Sequence, residues 1–184
     1  MVSDIACITC KRKNSYIGIS QLFGKTKFNI EGIRIKFPAL TVGFFIEYEI
    51  HDKYNFYSKN YLHPQSISLN SCVNYEGFSF SIQLIFALYT ELATTEIENE
   101  ALWNIFESLK VKKKTKEFIL SKIINLINII TGNNIKENEI HYIENSLIKI
   151  IQFSVLDKEK SVFLQKMIKY VFKYELRKIK VEQV

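Results

Sequence analysis

The spacing of apolar residues changes near residue 75, and this change constrains the fold more than any other feature of the chain. Before it, apolar residues come in short runs rich in Ile, Phe, Tyr and Val, broken by small polar turns. Five of the six glycines and both prolines, Pro38 and Pro64, fall within the first 77 of 184 residues. After it, apolar residues recur every three or four positions over long segments, which is the spacing of a helix face. The chain is therefore expected to be α+β, with a β-domain over residues 1–70 and an all-α helical bundle over 71–184.

Five segments of the first part predict strands: DIACITCKRK, YIGISQLF, KFNIEGIRIKF, VGFFIEYEI and NFYSKNYL. KNS, GKT, PALT and HDK separate them as turns. Alternation is clearest in GIRIKF, where Ile33, Ile35 and Phe37 are expected to face in and Arg34 and Lys36 out. Five short strands joined by tight turns suit a small OB-fold-like barrel, with an open sheet as the other arrangement. The second part predicts about five helices: YEGFSFSIQLIFALYTEL, TTEIENEALWNIFESLK, TKEFILSKIINLINIITG, ENEIHYIENSLIKIIQF and KEKSVFLQKMIKYVFKYELRKIKV. Thr95 and Glu98 are expected to form a capping box, Asp157 an N-cap and Gly132 a C-cap.

The net charge is +6 and is concentrated toward the two ends of the chain. Residues 1–37 carry seven basic and two acidic side chains, and residues 158–184 carry eight and three, so the middle is acidic on balance. The first group contains Lys11, Arg12, Lys13, Lys25, Lys27, Arg34 and Lys36, interleaved with Tyr16, Phe23, Phe28 and Phe37. Basic grooves with aromatic platforms are how OB-folds hold single strands, although most of these rings are expected in the core. In the last helix, Lys166, Lys169, Lys173, Arg177 and Lys180 fall on one stripe about 21 Å long, with Leu164, Ile168, Val171, Phe172 and Ile179 mainly opposite. These twelve cations are the candidate nucleic-acid-binding residues. A solvated helix face is the plain alternative for the stripe.

Cys7 and Cys10 make a Cys-x-x-Cys, but Cys72 is the only other cysteine, and His51, His63 and His141 are scattered. Four ligands cannot be assembled from a pattern of this kind. Side chains three apart on a regular strand point to opposite faces, so Cys7 and Cys10 are expected to be small core or surface residues. No metal or other cofactor is expected. Three cysteines argue against a disulfide framework and for a reducing compartment. The N-terminus lacks the pattern of a signal peptide. The most apolar run, Phe118 to Ile130, is too short to cross a bilayer, so no membrane partner is expected. No phosphate-binding loop, nucleophile elbow or metalloprotease motif is present. Glu47 and Glu49 beside His51 are explained by exposed strand polarity, and no catalytic residues are assigned.

The order of parts resembles the RecO family of recombination-repair mediators. DIACITCKRK resembles that family's first strand, and VGFFIEYEIHDKYNFYSKNYLHPQ its hairpin leading out of the barrel. YEGFSFSIQLIFALYTELATTEIENEALWNIFESLK resembles the helix pair that follows. KKKTKEFILSKIINLINIITG is similar to the basic, Phe- and Leu-rich helix ending in glycine, and FLQKMIKYVFKYELRKIKV to the closing helix. Many members carry a four-cysteine zinc module in the helical domain. The segment from Ile130 to Glu144 has no cysteine, and a GExDR-like piece after the first strand is replaced by KNSYIGIS, so the likeness is to a form without zinc. The resemblance implies a non-enzymatic protein that binds single- and double-stranded DNA, anneals complementary strands and helps RecR load RecA. It implies RecR and the C-terminal tail of the single-stranded-DNA-binding protein as further partners, and a cytoplasmic, nucleoid-associated location. The competing readings are a helical interaction or regulatory subunit with an incidental basic surface, and an RNA-binding OB-fold protein.

Overall fold

The computed structural model describes residues 2–13, 15–30, 39–50, 62–92 and 100–130, with residues 132, 136–138, 140–143 and 145 beyond them. Five strands come first: β1 Val2–Arg12, β2 Ser15–Ser20, β3 Gly24–Phe28, β4 Phe44–Ile50 and β5 Ser66–Cys72. They form one sheet in the order β3-β2-β1-β4-β5, with every adjacent pair antiparallel. An isolated parallel bridge, Phe28 with Leu62, joins the end of β3 to the residues just ahead of β5. Two backbone bonds carry it, Asn29 N to Leu62 O (3.0 Å) and Leu62 N to Lys27 O (2.8 Å). The two outer strands are thus drawn toward each other. Three helices follow: α1 Ser79–Leu92, α2 Glu100–Ser108 and α3 Lys116–Ile130. The α+β class and the order of sheet before helices agree with the sequence.

The chain divides into two compact units that interleave in sequence. One is Met1–Asn74 with Leu92–Lys112, and the other is Tyr75–Glu91 with Lys113–Val184. Helix α2 therefore groups with the sheet. In the first unit one sheet face builds a core around Ala6, Ile8, Phe28, Ile46, Tyr48 and Ile67, drawn from all five strands as Tyr16 joins from β2. The other face is also covered at its centre. Cys7, Ile19 and Phe45 are buried there, and the Phe45 ring meets Trp103 of α2 edge-on at 5.7 Å. In the second unit, α1 buries residues on most of its circumference, as its near-continuous apolar sequence requires. Helix α3 buries Ile119, Ile123, Leu126 and Ile127 on one stripe. Thr115 accepts a bond from the Phe118 amide at 3.1 Å and caps its start. Gly132, at φ 67°, follows its end as expected.

Two expected strands shift. KFNIEGIRIKF is replaced by the earlier Gly24–Phe28, and residues 31–38 lie outside the described ones. GKT is thus strand rather than turn. Gly24, at φ 64°, ends the turn from β2, and Lys25, Thr26 and Lys27 then pair with Ile19, Gly18 and Ile17. NFYSKNYL lies outside the described residues except for Leu62. The fifth strand is SISLNSC, whose serines hid it: only Ile67 is a buried apolar residue, and Leu69 is 45 % exposed. Thr95, Glu98, Asp157 and the two last expected helices, apart from a few residues near Ile143, also lie outside the described residues.

A buried polar cluster ties three strands together. Asp4 is buried beside Tyr48 and Ser20. The Tyr48 hydroxyl donates to Asp4 Oδ2 at 2.6 Å and lies 3.1 Å from Ser20 Oγ, and the Ser20 hydroxyl also donates to Asp4. The Ile5 amide donates to Asp4 Oδ1 at 2.7 Å, and the Phe23 amide to Ser20 Oγ at 2.9 Å. Burial, and then the neighbouring Asp4 carboxylate, push the Tyr48 phenol pKa up. Burial pushes the Cys7 thiol up as well, with the Lys110 ammonium opposing it.

Both shifts make the folded state hold its protons more tightly than the unfolded chain. Their stabilisation is complete below the ordinary values of 9.0 for the thiol and 10.0 for the phenol and is lost as pH rises past them. Stability should fall as pH rises above 9 because of Cys7, and more steeply above 10 as Tyr48 joins it. Urea titrations of wild type and Cys7→Ala check the first step: the difference between the two should change between pH 9 and 10. Parallel curves would exclude the thiol as the source.

Gly18 of β2 sits beside Ile8 in the β1–β2 ladder. A Cβ there would lie 2.7 Å from the Cys7 carbonyl oxygen and 3.2 Å from the Phe28 ring. The first of these is backbone within a paired strand and cannot move alone. Gly18→Ala should therefore destabilise by about 2 kcal/mol, read as a lower urea midpoint at unchanged slope.

Candidate nucleic-acid interface

The three cations of KRK stand at the β1–β2 connection. Pairing runs from Ala6 with Ser20 to Arg12 with Ser15, so the chain reverses just beyond Arg12. Lys11, Arg12 and Lys13 are all exposed. Among the described residues no carboxylate forms an ion pair with any of them. Lys11 pairs with Tyr16 and holds its ammonium 6.0 Å from the centre of that ring, on the core side of the sheet edge. Arg12, one residue on, points to the outer face.

Lys25 and Lys27 join Arg12 on that outer face. They pair with Ile19 and Ile17 and are half-exposed, while Thr26 and Phe28 between and beyond them are buried. Alternate residues on a strand are about 6.7 Å apart, and β3 lies two strands, about 10 Å, from β1. Register and pleat thus gather Arg12, Lys25 and Lys27 on one surface, with Lys11 and Lys13 at its rim. Arg34, Lys36, Lys166, Lys169, Lys173, Arg177 and Lys180 lie outside the described residues.

The aromatic residues interleaved with these cations are core. Tyr16 is 8 % exposed, Phe23 4 % and Phe28 0 %. Phe28 meets Tyr48 edge-on at 5.1 Å. They hold the sheet together and offer no face to a base. Phe37 lies outside the described residues.

The expectation that Cys7 and Cys10 face opposite sides is overturned. A bulge between Ile8 and Cys10 adds one residue to β1, so Cys7 pairs with Ile19 and Cys10 with Ile17. Both therefore point to the outer face, because a bulge resets the alternation. Cys7 is buried and Cys10 half-buried. Among the described residues no group of three His, Cys, Asp or Glu side chains is placed to hold a metal ion. Glu47 and Glu49 do share a strand face, and their carboxylates accept from Ser3 (3.4 Å) and Ser66 (3.1 Å), as exposed strand polarity predicts. His51 lies outside the described residues.

Lys110 to Lys116 form a further basic stretch, read in the sequence only as the basic start of a helix and not among the twelve candidates. Lys110 lies 4.0 Å over the Phe45 ring and pairs with Glu107 at 3.2 Å. Lys112, Lys113 and Lys116 are exposed. Desolvation lowers the Lys114 pKa, with Glu76 opposing it. The run KVKKKTK was the available signal, hidden by the acidic balance of the middle of the chain.

Among the described residues no helix is long and apolar enough to cross a membrane. No protein-family model, no curated protein and no solved structure matches this chain.

Proposed function

We propose that this is a non-enzymatic nucleic-acid-binding protein whose N-terminal unit is an OB-fold-like barrel. Two features support the barrel. The first strand pairs with the second and fourth, and the third meets the approach to the fifth through a parallel bridge. That connectivity suits a five-stranded, partly open Greek-key barrel. The single observation that carries the binding reading is the position of the cations. Lys11 and Arg12 end β1 and Lys13 begins its connection to β2, while Lys25 and Lys27 stand on the outer face of β3. OB-folds hold oligonucleotides with the loop after strand 1 and the face of strands 2 and 3.

On its resemblance to RecO, the partner is single- and double-stranded DNA, and the activity is strand annealing and, with RecR, loading of RecA, in the cytoplasm at the nucleoid. Lys166, Lys169, Lys173, Arg177 and Lys180, which the sequence predicts on one helix face, are proposed as a second footprint. The test is a salt titration of purified protein with single-stranded DNA and RNA of equal length, followed by an annealing assay. Binding to DNA that weakens steeply with salt, with accelerated annealing, supports the reading. Tighter binding to RNA without annealing favours the RNA-binding alternative. Binding to neither ends the nucleic-acid reading and leaves the interaction-subunit alternative.

A further inference from the structure

We infer that the basic hairpin tip holds the sugar–phosphate backbone alone and reads no base, so that its ligand is any phosphodiester strand, with or without bases. This inference rests on the nucleic-acid reading above and sharpens it. The rings nearest the tip are turned into the core: Tyr16 opposite Lys11, and Phe28 opposite Tyr16 on the next strand. Lys11 holds its ammonium over the Tyr16 ring, 6.0 Å from its centre. The side chains beside Arg12 on the outer face are Ser15, Cys10 and Ile17, none of them planar. Base stacking contributes about 1–3 kcal/mol per base where an aromatic platform exists, and the described part of this tip has none. Three exposed cations within three residues remain, and they act on phosphate charge at any sequence.

The experiment compares wild type with the triple variant Lys11→Ala, Arg12→Ala, Lys13→Ala on three probes of equal length. The probes are a mixed-sequence single strand, a fully abasic single strand and a duplex. Wild type is expected to bind the abasic strand more weakly wherever other parts of the protein touch bases. The fold-loss caused by the variant is what isolates the tip. It should be equal, within about twofold, on the abasic and base-bearing strands, and at least as large on the duplex, whose charge density is higher. A loss several-fold larger on the base-bearing strand would mean that one of the three cations stacks on or hydrogen-bonds a base, and would overturn the inference while leaving the nucleic-acid reading intact. No loss on any probe would remove the tip from the interface. Failure of wild type to bind all three probes would sink the nucleic-acid reading itself.

Discussion

Replacing Lys11, Arg12 and Lys13 together with alanine should flatten the salt dependence of single-stranded DNA binding by roughly 2 in log–log slope, at about 0.7 per phosphate contact. With the electrostatic contribution vanishing near 1 M salt, that slope corresponds to an affinity loss of about 400-fold at 50 mM and about 25-fold at 200 mM. The three side chains are exposed at a chain reversal, and none is paired with a described carboxylate. Their removal should therefore leave stability nearly unchanged, since surface substitutions usually stay within about 0.5 kcal/mol. Fluorescence anisotropy at several salt concentrations reads the slope, and circular dichroism confirms the fold. A folded variant with the wild-type slope would place the tip outside the binding surface.

Replacing Asp4 with alanine should cost about 3 kcal/mol of stability, somewhat more than a hundredfold in the folding equilibrium. Asp4 accepts from the Tyr48 and Ser20 hydroxyls and from the Ile5 amide, all in or beside the core. Without it, two buried hydroxyls lose their shared acceptor, and no water replaces it at low cost. Asp4→Asn retains one acceptor oxygen and similar volume, so its loss should be smaller. Urea unfolding followed by circular dichroism measures both. A loss under about 0.5 kcal/mol for the alanine variant would show that the cluster contributes little to joining β1, β2 and β4. Because the cluster sits at the far end of β1 from the basic tip, the two variants separate folding from binding.

Asp4 was not legible as a core residue in the sequence. In DIAC it reads as a polar position at the start of a strand, and only the pairing of Ala6 with Ser20 and of Asp4 with Tyr48 brings the three polar groups together. The same holds for the cysteines. Strict alternation separates Cys7 from Cys10, and one extra residue in β1 returns them to a common face. A bulge leaves no mark in composition, because it arises from how one strand fits its partner. The fifth strand was missed for a related reason. SISLNSC has a single buried apolar side chain, and it is a strand because the β4 backbone offers it hydrogen bonds.

What the sequence determined alone is whatever depends on near neighbours in the chain. The switch from strand to helix spacing, β1, β2 and β4, the stripe of α3 and its closing Gly132 all follow from side-chain period and local backbone preference. The exposure of KRK also follows, because three successive cations cannot be buried without partners. Tertiary structure alone decided the order of the strands, the parallel bridge from Phe28 to Leu62, the placing of α2 with the sheet, and the alignment of Lys25 and Lys27 with Arg12. It also fixed which of the interleaved rings are core, namely Tyr16, Phe23 and Phe28, as was expected of most of them. The reason is that register moves a side chain from one face to the other with a shift of a single residue. Register is chosen by all the strands packing together, which no local stretch of sequence encodes.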